Sequence, residues 1–266
     1  MKNTLIIFFF FLIMTNQNSN AQQEGIWNGK KCAVVLTYDD ALNVHLDNVI
    51  PCLDSFGING TFYIIGESEI LRERLPEWKT AAANGHELGN HSLTHPCDGG
   101  KNGRSWVSKE SDLRSYSVHR AVNEIRITNT LLYAIDGKTE RTFAYPCADK
   151  YIDTVAFYNE LGDEFPGARG VYSKMQHLSD VDLSDIPSYM IMDKSADYMI
   201  NLVKEAQDTH TLLVFLFHGV GGEHNINVSL EEHNKLVHYL VENEDEIWIA
   251  PLVDVAKYIK EEQENK

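Results

Sequence analysis

Apolar positions along this chain follow two periods in turn. Continuous β-branched and aromatic runs fall at 33–36, 61–65, 211–217 and 247–250, the pattern of strands buried on both faces. Between them apolar residues return every three or four positions. These stretches predict helices over 44–56, which must absorb Pro51, over 71–84, closed by Asn84 and Gly85, and over 108–135, with Gly137 just beyond. Further helices are expected at 152–161, 195–207, 229–242 and 252–262, and shorter extended pieces at 86–90, 141–146, 167–172 and 188–192. Strand and helix alternate throughout, so the fold class is α/β with parallel strands and helical crossovers, as an α/β barrel or an open α/β sheet.

The first residues break this rhythm. Lys2 precedes an apolar core at 5–14, and a polar stretch then ends on Ala21, the layout of a secretory signal peptide whose core is too short to span a bilayer. Residues 1–21 are therefore set apart from the fold and 22–266 read as a single domain, secreted or periplasmic, with no transmembrane segment once the signal is removed. The net charge of −16, one unit more negative without Lys2, argues against a nucleic-acid partner. Four cysteines, Cys32, Cys52, Cys97 and Cys147, permit two disulfides in an oxidising compartment, and a Cys97–Cys147 bridge is one option. They contain no Cys-x-x-Cys pair, which argues against a thiolate zinc site.

Candidate chemistry gathers at strand ends. The run at 33–36 continues through Thr37 and Tyr38 and stops on two carboxylates, Asp39 and Asp40, at the edge where α/β folds carry their active groups. Successive side chains diverge there, so the two aspartates can do different work, one holding a cation and one facing a substrate. His91 and His95 stand four residues apart, a spacing that one helical turn would aim in one direction, and imidazole with carboxylate is a usual ligand set for zinc and similar ions. His218 directly follows the apolar run at 211–217, before a stretch rich in glycine, Gly219, Gly221 and Gly222, that lets backbone approach a ligand.

Taken together these stretches resemble one family, the polysaccharide deacetylases of the NodB-homology type. Thr37-Tyr38-Asp39-Asp40 matches its first motif, Gly60-Thr61-Phe62-Tyr63 the strand that follows, His91 to His95 its His-Ser/Thr-x-x-His, and Leu216-Phe217-His218 its Leu-x-His. The resemblance runs from about 31 to 259. It implies a distorted (β/α) barrel of seven parallel strands. It also implies one divalent ion, zinc ahead of other transition metals, on Asp40, His91 and His95. Asp39 would be the general base, His218 the acid that protonates the leaving group, and Leu216 the wall against the acetyl methyl. The partner would be an acetylated oligo- or polysaccharide, with N-acetylglucosamine-containing glycans ahead of O-acetylated ones.

One motif departs. Where the family commonly reads Phe-Arg-Pro-Pro-Tyr-Gly, with the arginine fixing the base, this chain has Phe143-Ala144-Tyr145-Pro146-Cys147-Ala148. Arg169 is the candidate replacement, ahead of Arg141, which begins its strand and so belongs to the far end of a barrel. Cys147 would offer the backbone N–H for the oxyanion, and Tyr145 and Trp106 would contact substrate, with Tyr116 a second solvent-borne aromatic. The carboxylate orienting His218 is left open among Asp180, Asp182, Asp185 and Asp193. A carbohydrate-binding protein that keeps the barrel with little or no turnover is the alternative. Ala144 favours it, and the joint presence of a base and an acid argues against it.

Overall fold

A computed structural model describes residues 26–265. The export segment read over 1–21 lies outside the described residues. Among those residues, no helix is long and apolar enough to cross a membrane.

The strands in chain order are β1 (Cys32–Asp39), β2 (Thr61–Ile64), β3 (Glu87–Asn90), β4 (Phe143–Ala144), the short pair β5 (Tyr151–Ile152) and β6 (Val155–Ala156), β7 (Ala168–Arg169), β8 (Tyr189–Met190), β9 (Leu212–Phe217), the short pair β10 (Gly219–Val220) and β11 (Asn227–Val228), and β12 (Ile247–Ile249). Seven of them, in the order β7-β4-β3-β2-β1-β9-β8, form one continuous parallel path. The path curls until its ends meet: Ile186, just before β8, bridges Arg169 of β7, and Gly170 N–H donates to Ile186 O at 2.8 Å. A distorted barrel results, one of the two forms that the strand–helix alternation allows and the one that the family resemblance implies. β12 adds to the first half of β1, Cys32 opposite Ile247, while β2 pairs with its second half, Asp39 opposite Tyr63.

The two faces of β1 go to different cores. Val34, Leu36 and Tyr38 pack outward among the helices α1 (Ile50–Phe56), α3 (Leu75–Ala83), α5 (Ala196–Thr209) and α6 (Leu230–Glu242), whereas Ala33 and Val35 join Tyr63, Ala144 and Val214 in an inner cluster. Because side chains alternate along a strand, Thr37 and Asp39 continue the inner column. Asp39 thus reaches the barrel interior at its C-terminal mouth. Each fully buried Leu, Phe or Val on these strands is worth roughly 1.5–3 kcal/mol of burial, which fixes the register that aims Asp39.

At the opposite mouth the polar groups are tied up. Glu87, at the start of β3, accepts from Thr61 Oγ1 (2.8 Å), Thr142 N (2.5 Å) and Oγ1 (2.7 Å), and from Val253 N (2.9 Å) at the start of α7 (Leu252–Glu264). Arg141 lies at this end too, paired with Asp136 and bonded to Leu88 O at 2.7 Å.

Four expected elements differ. The helix read over 108–135 is α4 (Val118–Asp136); Ser117 caps it, and the residues before it form a loop with a 3-10 turn at Leu113–Ser115. No α-helix occupies 152–161. The chain there makes the β5–β6 hairpin and a 3-10 turn, Phe157–Glu160, and the buried Ile152, Phe157, Tyr158 and Leu161 happen to mimic helical spacing. Pro51 is absorbed in the first turn of α1, after a π-helical turn at His45–Val49, and 71–84 divides into α2 (Glu69–Glu73) and α3, with Pro76 opening the latter.

Candidate active site

Asp39 ends β1 and Asp40 begins a turn, with Asp40 at φ 81° and Ala41 at φ 55°. Left-handed conformations are costly for residues with a Cβ and persist where the surroundings impose them. Here Asp40 N–H donates to Tyr63 O at 3.1 Å, and Thr37 Oγ1 to Phe215 O at 2.7 Å, which together pin the turn to both neighbouring strands.

His91 and His95 do not share a helical turn, contrary to the expectation from their spacing. They lie on a loop after β3, with Ser92 at φ 61° and His95 at φ 51°. Asn90 explains the path. Its Oδ1 accepts Ser92 N–H at 2.8 Å while its Nδ2 donates to Ile125 O and Asn129 Oδ1, so α4 anchors the loop. Ser92 Oγ then accepts His95 N–H at 3.1 Å. The Cys97–Cys147 disulfide follows, joining this loop to the one after β4, while Cys32 and Cys52 are free.

These loops bring Asp40, His91 and His95 together. Both Nε2 atoms are 3.6 Å from Asp40 Oδ1. That is too long for a hydrogen bond, but donor atoms about 2.0–2.2 Å from one tetrahedral ion stand roughly 3.3–3.6 Å apart. Two further observations fit a cation. Among the described residues, Asp40 Oδ1 is buried with no hydrogen-bond partner. His91 Nδ1 lies 2.9 Å from Ala144 O, which can only accept, so the proton sits on Nδ1 and Nε2 turns a lone pair toward the cluster. Burial holds His91 at a pKa of about 3 and His95 at about 4, against which the Asp39 charge works, so both imidazoles are neutral at physiological pH.

Asp39 faces the same space with its own partner. Arg169, fully buried, donates through Nη2 to Asp39 Oδ2, and its guanidinium sits 5.1 Å from the Tyr63 ring centre. Arg169 is the β7 residue in register with Ala144 of β4, so an arginine stands at the same height on the next strand. Burial pushes the Asp39 pKa up, but Arg169, His91 and His218 outweigh it and hold the carboxyl at about 2. Asp40 behaves oppositely; burial raises it above the ordinary carboxylate value while His218 pulls it down.

His218 approaches from β9, with Nε2 3.8 Å from Asp40 Oδ2. Burial lowers its pKa, and Asp39 and Asp40 oppose that shift, favouring the protonated form. Among the described residues, its Nδ1 is buried without a hydrogen-bond partner, so none of Asp180, Asp182, Asp185 or Asp193 orients it through that atom. The backbone is held instead. His45 accepts Leu42 N–H on Nδ1 (3.2 Å), which leaves Nε2 protonated to donate to His218 O at 2.8 Å.

A pocket of about 250 Å³ collects these groups: Asp39, Asp40, His91, His95, His218 and Leu216, with Tyr145, Cys147 and Trp106 on its walls. Cys147 has φ 54° on its turn, Tyr145 is buried with its hydroxyl on Ser184 O (2.8 Å), and Trp106 is exposed. Tyr116 is not solvent-borne. It is buried, its hydroxyl against Thr94 Oγ1 at 2.7 Å. Two histidines escaped the reading of the sequence. His45 carries no motif and is visible only as a buried polar residue, whereas His224, which also lines the pocket, stands six residues past His218 in the glycine-rich stretch that marks close backbone approach.

The family profile described as polysaccharide deacetylase matches residues 28–165. A gellan lyase from Bacillus sp is 22% identical over 262 residues, covering 91% of this chain and 10% of that protein. The peptidoglycan-N-acetylmuramic acid deacetylase PdaA from Bacillus subtilis (strain 168) is 25% identical over 120 residues, 45% of this chain and 39% of that one. The chain therefore spans well under two thirds of either relative. Among solved structures, one described as a "putative polysaccharide deacetylase from Mycobacterium smegmatis" superimposes with a TM-score of 0.63 at 14% identity, covering 88% of this chain and 92% of the other. At that identity the likeness is one of fold.

Proposed function

The chain belongs to the polysaccharide deacetylase family, and from that premise we propose that it is an exported, metal-dependent hydrolase removing acetyl groups from a carbohydrate, N-acetylglucosamine-containing glycans ahead of O-acetylated ones. The observation that supports this most is a single pocket in which an arginine-paired carboxylate, a donor set of one aspartate and two histidines, and a further histidine all face one another.

Asp40, His91 and His95 would hold the cation, and their oxygen and nitrogen donors suit zinc ahead of other divalent transition metals. When bound, such an ion supplies Lewis acidity that makes water a nucleophile at neutral pH and draws charge onto the acetyl oxygen. Asp39, ionised and aimed by Arg169, takes a proton from the attacking water as its oxygen bonds to the acetyl carbon. The Cys147 N–H donates to the oxygen on which negative charge develops. His218 gives a proton to the sugar nitrogen as the carbon–nitrogen bond breaks, and acetate and a free amine leave. Leu216 bounds the methyl group, and Tyr145 and Trp106 contact the sugar.

Acetate release from N-acetylglucosamine oligomers and acetylated xylan, by protein stripped with chelator and reloaded with zinc, tests this reading. Release is expected only from the reloaded protein and fastest from the N-acetylated oligomers. Binding of an oligomer without release from any substrate would move the reading to a carbohydrate-binding protein.

A further inference from the structure

The chain between β9 and α6 is built to hold one side chain. Gly219 admits no Cβ, which would meet Gly222 O at 2.3 Å, and Gly221 and Gly222 take φ of 81° and 139°. Glu223 then adopts φ 67°, a strained value for a residue with a side chain. Its carboxylate repays the strain by accepting Val44 N–H and Asn43 Nδ2, both at 2.8 Å, from the segment just after the Asp39–Asp40 turn. On its other side the loop is closed by the β10–β11 pairing and by Gly222 N–H on Asn227 Oδ1 at 2.9 Å.

What this framework presents is His224. Its ring lies flat on that of His218, centres 4.7 Å apart and planes within 13°. Ile226 N–H donates to its Nδ1 at 3.0 Å, nearer than Ile226 O at 3.4 Å, so in the neutral ring the proton is on Nε2. That nitrogen points into the pocket, 3.9 Å from Asp40 Oδ2, beyond hydrogen-bond reach. His224 therefore differs from His91. His91 turns a lone pair inward and suits a cation, whereas His224 turns an N–H inward and suits an acceptor. It is also absent from the close-set donor group of Asp40, His91 and His95.

We propose that His224 is a substrate-contacting residue whose Nε2–H donates a hydrogen bond to a hydroxyl oxygen of the acetyl-bearing sugar, on the carbon next to the one whose substituent His218 protonates. The inference rests on the deacetylase reading and deepens it: the stacked pair contacts two adjacent substituents of one sugar. Ring stacking sets the spacing, and Glu223 sets the height of the loop.

Kinetics on a tetramer of N-acetylglucosamine test it. In His224→Ala and His224→Phe, KM is expected to rise about tenfold, the size of one uncharged hydrogen bond, with kcat nearly unchanged. His224→Gln, which keeps an N–H donor, should recover part of that loss, and zinc content should equal wild type in all three. A wild-type KM in the Phe variant would show that the ring matters only as support for His218. A fall in kcat at unchanged KM would assign His224 to proton transfer, and loss of zinc would make it a ligand; each of these overturns the proposal. If the wild-type protein releases no acetate, the deacetylase reading fails by itself. Calorimetric affinity for the same tetramer then still reports the contact, expected about tenfold weaker in the Ala and Phe variants and equal to wild type if the proposal is wrong.

Discussion

Two buried arginines stand at opposite mouths of the barrel, each facing an aspartate, and their surroundings differ. Arg141 bonds Asp136 through both terminal nitrogens, at 3.2 and 3.1 Å, and reaches the carbonyls of Leu88 and Lys138 as well. Among the described residues, only its Nε lacks a partner. Arg169 reaches Asp39 through Nη2 alone, and its Nε and Nη1 have no acceptor among the described residues. Asp39 Oδ1, Asp40 Oδ1 and His218 Nδ1 beside it likewise have no partner among those residues. Burying polar atoms unpaired costs about 1–3 kcal/mol each, so such a cluster is not how a chain gains stability. The closed mouth is solved for folding, and the open one leaves hydrogen-bonding capacity for something that arrives later. Backbone strain is concentrated there without being confined to it: Asp40, Ala41, Ser92, His95, Cys147, Ala148 and Glu223 have positive φ at or beside the open mouth, while Asn28 and His210 have it before β1 and β9 at the other end.

The largest effect should separate chemistry from folding at a single atom. Asp39→Asn keeps the shape and can still accept a hydrogen bond but cannot take a proton, so turnover per folded molecule should fall about 10²–10⁴-fold, whereas the urea midpoint falls only as far as buried Arg169 loses an ionised partner. A near-normal rate would return Asp39 to the role of a turn residue. The arginines give the next contrast. Arg141→Ala leaves Asp136 charged and buried, at a cost of about 3–5 kcal/mol in unfolding free energy, while the rate per folded molecule stays unchanged. Arg169→Ala should lower the rate about 10²-fold through lost positioning of the base. Equal effects of the two on rate would erase the distinction between the mouths.

How far the sequence carries this contrast depends on which interactions are local. Asp39, Asp40, His91, His95 and His218 all follow strands or their extensions, and strand ends are legible from apolar runs. Arg169 was reachable because a barrel puts the start and the end of a strand at different mouths. The loops were not legible. His91 and His95 have helical spacing but are held by Asn90, whose anchor is a carbonyl on α4, and residues 152–161 have a helical apolar rhythm created by tertiary burial of a hairpin and a 3-10 turn. His224 depends on a carboxylate contact to residues 43 and 44, about 180 positions earlier, which no local pattern reports.

The smallest effect at neutral pH concerns two histidines outside the open cluster. His233, bonded to Tyr38 Oη at 2.8 Å, and His45 are fully buried, and burial lowers both to about 4 from 6.5. With folded values depressed, the unfolded chain takes up protons first as pH falls. Their contribution to stability is therefore complete above pH 6.5 and is lost progressively as pH drops toward about 4. Urea midpoints of metal-free protein should decline across that window, and His233→Gln should shallow the decline. An unchanged slope in the variant would mean that His233 is not held neutral by the fold.

We propose that the open mouth is organised to receive a cation on Asp40, His91 and His95. Zinc bound after dialysis, measured by elemental analysis in wild type, His91→Ala, His95→Ala and Arg141→Ala, tests it most directly. One equivalent is expected in the wild type and the Arg141 variant, and loss of several kcal/mol of affinity in each histidine variant. Stoichiometric zinc in either histidine variant, or none in the wild type, would contradict it.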